Sequence, residues 1–176
     1  MKTCLLYGFI SALAAAFLTL ILFFLGFHSD PARLLAAGRI GNLGGLAIAV
    51  TCMALGIKAR RAEVPAGEPF GYGSALGAGV MISLFSSIFS SIFTYAYNAF
   101  INPAFAEMLL QAKLAGLDAS GMSGDRLEKA ESMTRFMFNP GALAILVLVI
   151  GFIFGVLIAL VVAAFLKRPG PPPLRT

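Results

Sequence analysis

The side-chain types that commonly carry catalysis are sparse in this sequence, and their spacing matches no catalytic or metal-binding pattern. His28 is the only histidine of the chain. A hydrolytic triad needs a nucleophile and a carboxylate beside the imidazole, and a zinc ion needs several further ligands. The sequence supplies no such set around His28. We therefore expect no catalytic, cofactor-binding or metal-ligating residues, no cofactor and no enzymatic activity.

The two cysteines, Cys4 and Cys52, also lack the paired spacing that is typical of metal sites and redox centres. Both are expected near the cytoplasmic side of a membrane, where thiols stay reduced. We interpret them as small, buried side chains without a chemical role.

A glycine triplet at Gly38, Gly41 and Gly44 is similar to a nucleotide-binding loop, but no strand precedes it. The glycines lie inside a predicted helix, where they favour close helix packing. No Asp, Glu, Lys or Arg lies at the middle of a span, and Arg39, with Asn42 beside it, comes nearest to that position. We interpret Arg39 as a side chain that reaches the headgroups and keep both residues as candidates for packing or binding.

The third apolar segment carries a row of hydroxyl side chains. Its members are Ser83, Ser87, Ser90, Ser91 and Thr94. Such a face either lines a water-filled path or packs by bonding to carbonyls of its own or a facing helix. The packing role is favoured, and the path remains the alternative.

Small residues recur every four positions in the last apolar segment, at Gly151, Gly155, Ala159 and Ala163. In lipid, helices associate where small residues let their backbones approach closely. The stripe therefore predicts a helix contact, either with a neighbouring span or with a second copy of the chain.

Long apolar segments position all of these residues. Hydrophobic residues make up 59% of the chain and charged residues 12%, against roughly 45–50% and 25% in soluble domains. The predicted membrane spans are residues 5–27, 38–57, 74–101 and 141–166. The first resembles a signal peptide at its start, but its apolar run exceeds the usual length of about 7–15 residues. We interpret it as an uncleaved helix.

Three junctions of an acidic or amide residue with proline predict the starts of new helices. They are Asp30-Pro31, Asn102-Pro103 and Asn139-Pro140. The side chain caps free N–H groups, and proline fits the first helical position. Residues 103–139 are expected to form two short amphipathic helices between the third and fourth spans, with Gly116 ending the first. Residues 58–73 are expected to form a polar turn.

Basic residues predict the orientation of this single four-helix domain, residues 1–168. Lys58 and Arg61 follow the second span, and Lys167 and Arg168 follow the fourth. Positive charge beside a span favours the cytoplasmic side, so both termini are expected inside and the helical insertion outside. The proline-rich residues 169–176 are expected to form a disordered cytoplasmic tail.

Three stretches of the sequence resemble the DUF4199 family. They are Phe70 to Gly79, Ser91 to Asn98 followed by Ile101-Asn102-Pro103, and Met133 to Met137 before Asn139-Pro140. The resemblance implies a small bacterial membrane protein with four spans, located in the inner membrane, and it carries no catalytic role.

The combined expectation is an all-α, polytopic membrane protein without enzymatic activity. We expect it to bind a partner protein or a lipid, as an accessory or scaffold subunit. The alternative is a small oligomeric channel or transporter that uses the hydroxyl face. Besides the bilayer, the expected partner is another membrane protein or a second copy. Nucleic acid is excluded, because the net charge of +5 comes from residues beside apolar runs and forms no basic face.

Overall fold

Apolar runs without an internal proline form the long helices of the computed structural model, which describes residues 1–65, 67–119 and 124–168. The α-helices are α1 (Lys2–Phe24), α2 (Leu34–Ala62), α3 (Tyr72–Ala96), α4 (Pro103–Ala119), α5 (Asp125–Met137) and α6 (Pro140–Leu166). A 3-10 turn, Pro31–Arg33, precedes α2, and a π-helical turn, Tyr97–Ile101, follows α3. Residues 169–176, predicted to be a disordered tail, lie outside the described residues.

Four helices are long and apolar enough to cross a membrane. They are Lys2–Phe24, Leu34–Ala62, Tyr72–Ile101, which joins α3 to the π-helical turn, and Pro140–Leu166. Helices α4 and α5 lie between the third and fourth of them and pack against each other. The predicted all-α class, with four spans and a helical pair before the last, is confirmed.

Three predicted boundaries differ from the structure. Helix α1 ends at Phe24, before the predicted end of the first span at Phe27. Helix α2 continues through Lys58 to Ala62, which the sequence analysis assigned to a polar turn. Lysine, arginine and alanine are good helix formers, and cations are favourable at a helix C-terminus, so the helix continues past the apolar run. Helix α4 likewise passes Gly116, the predicted cap, and ends at Ala119.

Helix α3 occupies the centre of the bundle and contacts α1, α2 and α6. Its most extensive contact is with α6, where small residues face each other. A Cβ atom added to Gly79 would lie 2.6 Å from the Cβ of Ala159. The backbones of α3 and α6 therefore approach more closely than larger side chains would allow.

We call the end of the bundle that holds Met1 and Arg168 the termini end, and the opposite end, with α4 and α5, the insertion end. The hydrophobic core lies towards the termini end, where Ile57, Ala75 and Ala163 are fully buried. Most of the remaining apolar surface of the spans is exposed, as lipid contact requires.

Backbone and guanidinium hydrogen bonds close the termini end. Phe70 and Arg168 exchange two backbone hydrogen bonds of 3.1 and 2.8 Å. The Arg168 side chain donates to the carbonyl oxygens of Val64, Pro65 and Glu68 at 2.7–3.3 Å. These contacts fix the connection between α2 and α3 against the end of α6.

The three junctions with proline differ in how they cap. Asp30 accepts from the Ala32 N–H at 2.9 Å, and Asn139 accepts from the Gly141 N–H at 2.9 Å. Asn102 was also predicted to cap with its side chain, and this prediction was wrong. Its amide nitrogen instead donates to the His28 carbonyl and the Tyr97 hydroxyl, because buried polar partners lie within its reach.

Candidate functional site: two cavities at the insertion end

A buried polar cluster joins the end of α1, the π-helical turn and the start of α4. The Tyr97 hydroxyl lies 2.6 Å from Nδ1 of His28 and accepts a 3.2 Å hydrogen bond from the Asn102 amide. These three side chains are between 2% and 7% exposed. Since buried polar atoms are stable only when they are paired, the cluster holds these three segments in one arrangement.

Aromatic rings surround this cluster and give it a fixed shape. The His28 ring stacks on Phe105, with ring centroids 4.1 Å apart. Tyr97 makes edge contacts with Phe23 and Phe105 at 6.1 and 6.0 Å. The rings therefore fix Phe105 of α4 beside the end of α3.

Burial lowers the pKa of His28 below its ordinary value of 6.5, because the charged imidazolium loses hydration there. The imidazole is therefore neutral at physiological pH. Its Nδ1 can then accept the proton of the Tyr97 hydroxyl, whose oxygen already accepts from Asn102. Because Nδ1 of His28 is bonded to the Tyr97 hydroxyl, we interpret His28 as a residue that positions Tyr97.

A first cavity of about 330 Å³ lies beneath this cluster, between α1, α3 and α6. The lining residues are mostly small or aromatic, and a few of them carry hydroxyl or amide groups. They are Ala12, Ala15, Ala16, Thr19, Ser90, Phe93, Thr94, Tyr97, Asn98, Phe105 and Val147. Ligand pockets in proteins have this character, with volumes of about 300–1,000 Å³, apolar walls and a few polar groups.

Asn98 contributes an unpaired polar atom to this region. Its amide nitrogen donates to the Thr94 carbonyl at 2.9 Å, which fixes the orientation of the amide. The residue is 6% exposed, and its Oδ1 has no hydrogen-bond partner in the protein. A buried acceptor without a partner costs about 1–3 kcal/mol. Because this oxygen has almost no accessible surface, its missing partner is a cost to the fold and not a contact offered to a ligand.

A second cavity of about 450 Å³ lies between the π-helical turn and the helices α4, α5 and α6. Asn98 lines both cavities. The second one also has two charged walls, Glu107 from α4 and Arg135 from α5. Where the first cavity is largely apolar, the second therefore carries charge.

The predicted candidates on α3 and α6 fall into two groups. Ser83 and Ser87 are buried, and each hydroxyl donates to a carbonyl of its own helix at 2.9 Å. A Cβ at Gly155 would lie 2.6 Å from Ser83 Oγ, and one at Gly151 would lie 3.7 Å from Ser87 Cβ. These four residues form the contact between α3 and α6.

Ser90 and Thr94, the remaining candidates on α3, line the first cavity. Arg39 and Asn42 are exposed on α2, and neither lines either cavity. The structure thus brings only two of the predicted residues to the cavities. Ser91, from the same hydroxyl row, donates across to the Ala144 carbonyl of α6 at 2.8 Å.

The sequence analysis did not assign the residues that shape this site. It treated His28 as isolated, and it gave no site role to Tyr97, Asn98 or Phe105. One signal was present in the sequence: Tyr97 and Asn98 are polar residues near the end of an apolar span. Their partnership with His28, 69 residues away from Tyr97, follows only from the fold.

The four apolar helices and the cavities between them define a polytopic α-helical membrane protein. The model of the family described as a protein of unknown function (DUF4199) matches residues 6–168, nearly the whole chain. The chain belongs to this family, so the resemblance found in its sequence is confirmed. Searches among curated proteins and among solved structures found no match.

Proposed function

We propose that this protein is a non-enzymatic membrane protein that binds a lipid through the first cavity, as an accessory subunit in the bilayer. The observation that carries the proposal is the cavity of about 330 Å³, whose mainly apolar walls also include the hydroxyl-bearing residues Ser90 and Thr94. A lipid offers an apolar chain that suits these walls.

The position of the cavity supports a ligand that enters from the bilayer. Ser90 and Asn98 are eight residues apart on one helical segment, which corresponds to about 12 Å at 1.5 Å per residue. The cavity therefore extends from near the insertion end into the depth of the hydrocarbon. Its walls, which include Ala15 and Val147, offer contacts suited to an acyl chain.

The state of the hydroxyl face favours binding over conduction. The hydroxyls of Ser83 and Ser87 are buried and occupied by carbonyls of their own helix. A conducting path requires polar groups that replace the hydration of an ion along the whole span. The row of hydroxyls instead packs against α6 in one half and borders the cavity in the other.

Binding is tested by filling the cavity without changing charge. Ala15→Leu adds a large side chain to a residue that lines it, and Ala14→Leu makes the same change on a neighbouring residue that does not. Delipidated protein in detergent is titrated with mixed phosphatidylethanolamine and phosphatidylglycerol, and its unfolding temperature is measured. A ligand that binds the folded state raises this temperature.

We expect lipid to stabilise the parent and Ala14→Leu, and to have much less effect on Ala15→Leu. The lipid proposal fails if the parent gains no stability, or if Ala15→Leu gains as much as the parent.

We further propose that the protein lies in the bacterial inner membrane with its termini end in the cytoplasm. The basic residues Arg60, Arg61 and Arg168 cluster at this end. Single cysteines at the exposed residues Gly67 and Ser132, in a background lacking Cys4 and Cys52, report the orientation. An impermeant thiol reagent should label residue 132 in intact cells and residue 67 only after lysis. The reverse pattern would invert the orientation.

A further inference from the structure

The His28 ring contacts two residues that form part of the wall of the first cavity. It stacks on Phe105, the third residue of α4, with ring centroids 4.1 Å apart, and its Nδ1 lies 2.6 Å from the Tyr97 hydroxyl. Tyr97 and Phe105 both line the first cavity. One imidazole ring therefore holds two parts of the cavity wall in place.

The hydrogen bonds of this ring require its neutral form. The Tyr97 hydroxyl accepts from the Asn102 amide at 3.2 Å and donates its own proton to Nδ1 of His28. A proton bound at Nδ1 turns this nitrogen into a donor, so the Tyr97 hydroxyl loses its acceptor. Because all three side chains are buried, water can replace the lost bond only after the segments move apart.

Among the described residues, no carboxylate pairs with the imidazole ring. The titratable group that contacts it from the π-helical turn is Tyr97, and α4 offers it the uncharged ring of Phe105. Asp30, on the same connection, is paired with Arg33 at 3.3 Å, and Glu107 of α4 is exposed beside the second cavity. Attraction of an imidazolium to the phenyl ring would offset only part of its lost hydration. Burial therefore lowers the pKa of the imidazole without a compensating charge.

We propose that protonation of His28 releases Phe105 and the start of α4 from the wall of the first cavity, so that a bound lipid is held at neutral pH and released in acid. This inference rests on the proposed function, because the lipid is the ligand whose binding is regulated. The charged ring gains hydration by leaving the cluster, and Tyr97 and Phe105 then lose the contacts that fix them as cavity walls. The coupling is reciprocal, so bound lipid opposes proton binding by the same factor by which protonation weakens lipid binding.

Because His28 is the only histidine of the chain, this coupling can be measured at one site. Nuclear magnetic resonance of the full chain in detergent, purified without a histidine tag, follows the imidazole signals through a pH titration. The probe is the mixture of phosphatidylethanolamine and phosphatidylglycerol used above, since neither headgroup changes its charge in this range. We expect saturating lipid to lower the pKa of His28, and the lipid affinity of the parent to fall about fivefold between about pH 7.5 and 5.0.

Variants test the named residues. His28→Gln keeps a polar side chain that does not titrate in this range, so its lipid affinity should no longer depend on pH. Phe105→Leu removes the stacked ring from the cavity wall and should weaken lipid binding at neutral pH. Its matched control is Phe100→Leu, on a phenylalanine of the π-helical turn that is 76% exposed and lines neither cavity, and this variant should bind as the parent does. Circular dichroism verifies that every variant keeps its helix content.

A lipid affinity of the parent that is equal at both pH values would overturn the inference, and so would an undiminished pH dependence in His28→Gln. Unchanged binding by Phe105→Leu would contradict the release of that residue from the wall. If lipid leaves the pKa of His28 unchanged, the inference is wrong whether or not a variant folds. In each of these cases lipid still binds the parent at neutral pH and Ala15→Leu still weakens it, so the proposed function stands. If the parent binds no lipid at neutral pH, the proposed function and this inference both fail.

Discussion

At the termini end of the bundle, Ile57, Ala75 and Ala163 are completely buried in a core of apolar and small side chains. At the insertion end, the buried side chains include Tyr97, Asn98 and His28, and two cavities lie beside them. Close packing stabilises the termini end, because glycine and alanine let the helices approach each other. The insertion end is stabilised by a few hydrogen bonds beside the two cavities. The close packing that stabilises the bundle and the lipid binding that we propose therefore lie at opposite ends of the same helices.

The contrast predicts that larger side chains in the close packing of the termini end cause the greatest loss of stability. Gly79→Leu places a side chain where a Cβ alone would lie 2.6 Å from Ala159 Cβ. We expect a loss of stability of about 3 kcal/mol, at the upper end of the overpacking range, in a denaturant titration in detergent. Gly77→Leu, two residues along α3 with nothing near its Cβ, is the control. Equal stability of the two variants would remove the claim of close packing.

The polar cluster at the insertion end should contribute less. Tyr97→Phe deletes the hydroxyl that contacts His28 and Asn102, and both partners are left buried without it. We expect a loss of about 1–2 kcal/mol in the same titration. Tyr95→Phe changes an exposed tyrosine on the same segment and should be neutral. A Tyr97→Phe variant as stable as the parent would mean that the cluster does not hold the insertion end together.

The same cluster predicts a pH dependence of stability close to neutral pH. Burial lowers the pKa of His28, so the unfolded chain binds its proton more readily than the folded protein. The stabilisation by neutral His28 is complete above the unfolded pKa of 6.5 and is lost as the pH falls below it. Unfolding temperatures at about pH 7.5 and 5.5 measure this difference. His28→Gln should remove the part of the pH dependence that comes from His28. If the pH dependence is unchanged in that variant, other groups cause it.

The smallest expected effect belongs to the hydroxyls between α3 and α6. Ser91→Ala removes a hydrogen bond to the Ala144 carbonyl of α6 and should cost about 0.6 kcal/mol, the average for contacts between helices in membranes. Ser87 bonds only to its own helix, so Ser87→Ala should cost less. A larger loss for Ser87→Ala would show that the face of α3 is held differently.

The sequence predicted the features that depend on residues close together along the chain. Apolar length predicted the four spans, and the cap at Asn139 could be predicted because its partner is two residues away. Asn102 is also followed by proline, but its side-chain amide donates to His28 and Tyr97 instead. These partners lie near Asn102 only in the folded chain. The end of α2 was predicted too early, since the prolines and glycines of residues 58–73 were taken to make the whole segment a turn.

Most of the candidate site could not be predicted from the sequence, because its residues come from separate elements. Ser90 and Thr94 were predicted from their spacing, and both line the first cavity. Asn98, Glu107 and Arg135 come from three different elements, and their shared cavities depend on how α4 and α5 pack. A periodic pattern within one helix carries no information about such space between helices.

The central claim is that a lipid chain occupies the first cavity, and photo-crosslinking tests it most directly. The probe is phosphatidylethanolamine with a diazirine in its acyl chain, reconstituted with the full chain in vesicles, and mass spectrometry locates the crosslinks. We predict that they concentrate in residues 12–19 and 90–98, which include most of the cavity walls, and that Ala15→Leu reduces them there. Crosslinks spread evenly over exposed faces, such as residues 149–157 of α6, with no effect of Ala15→Leu, would contradict the account.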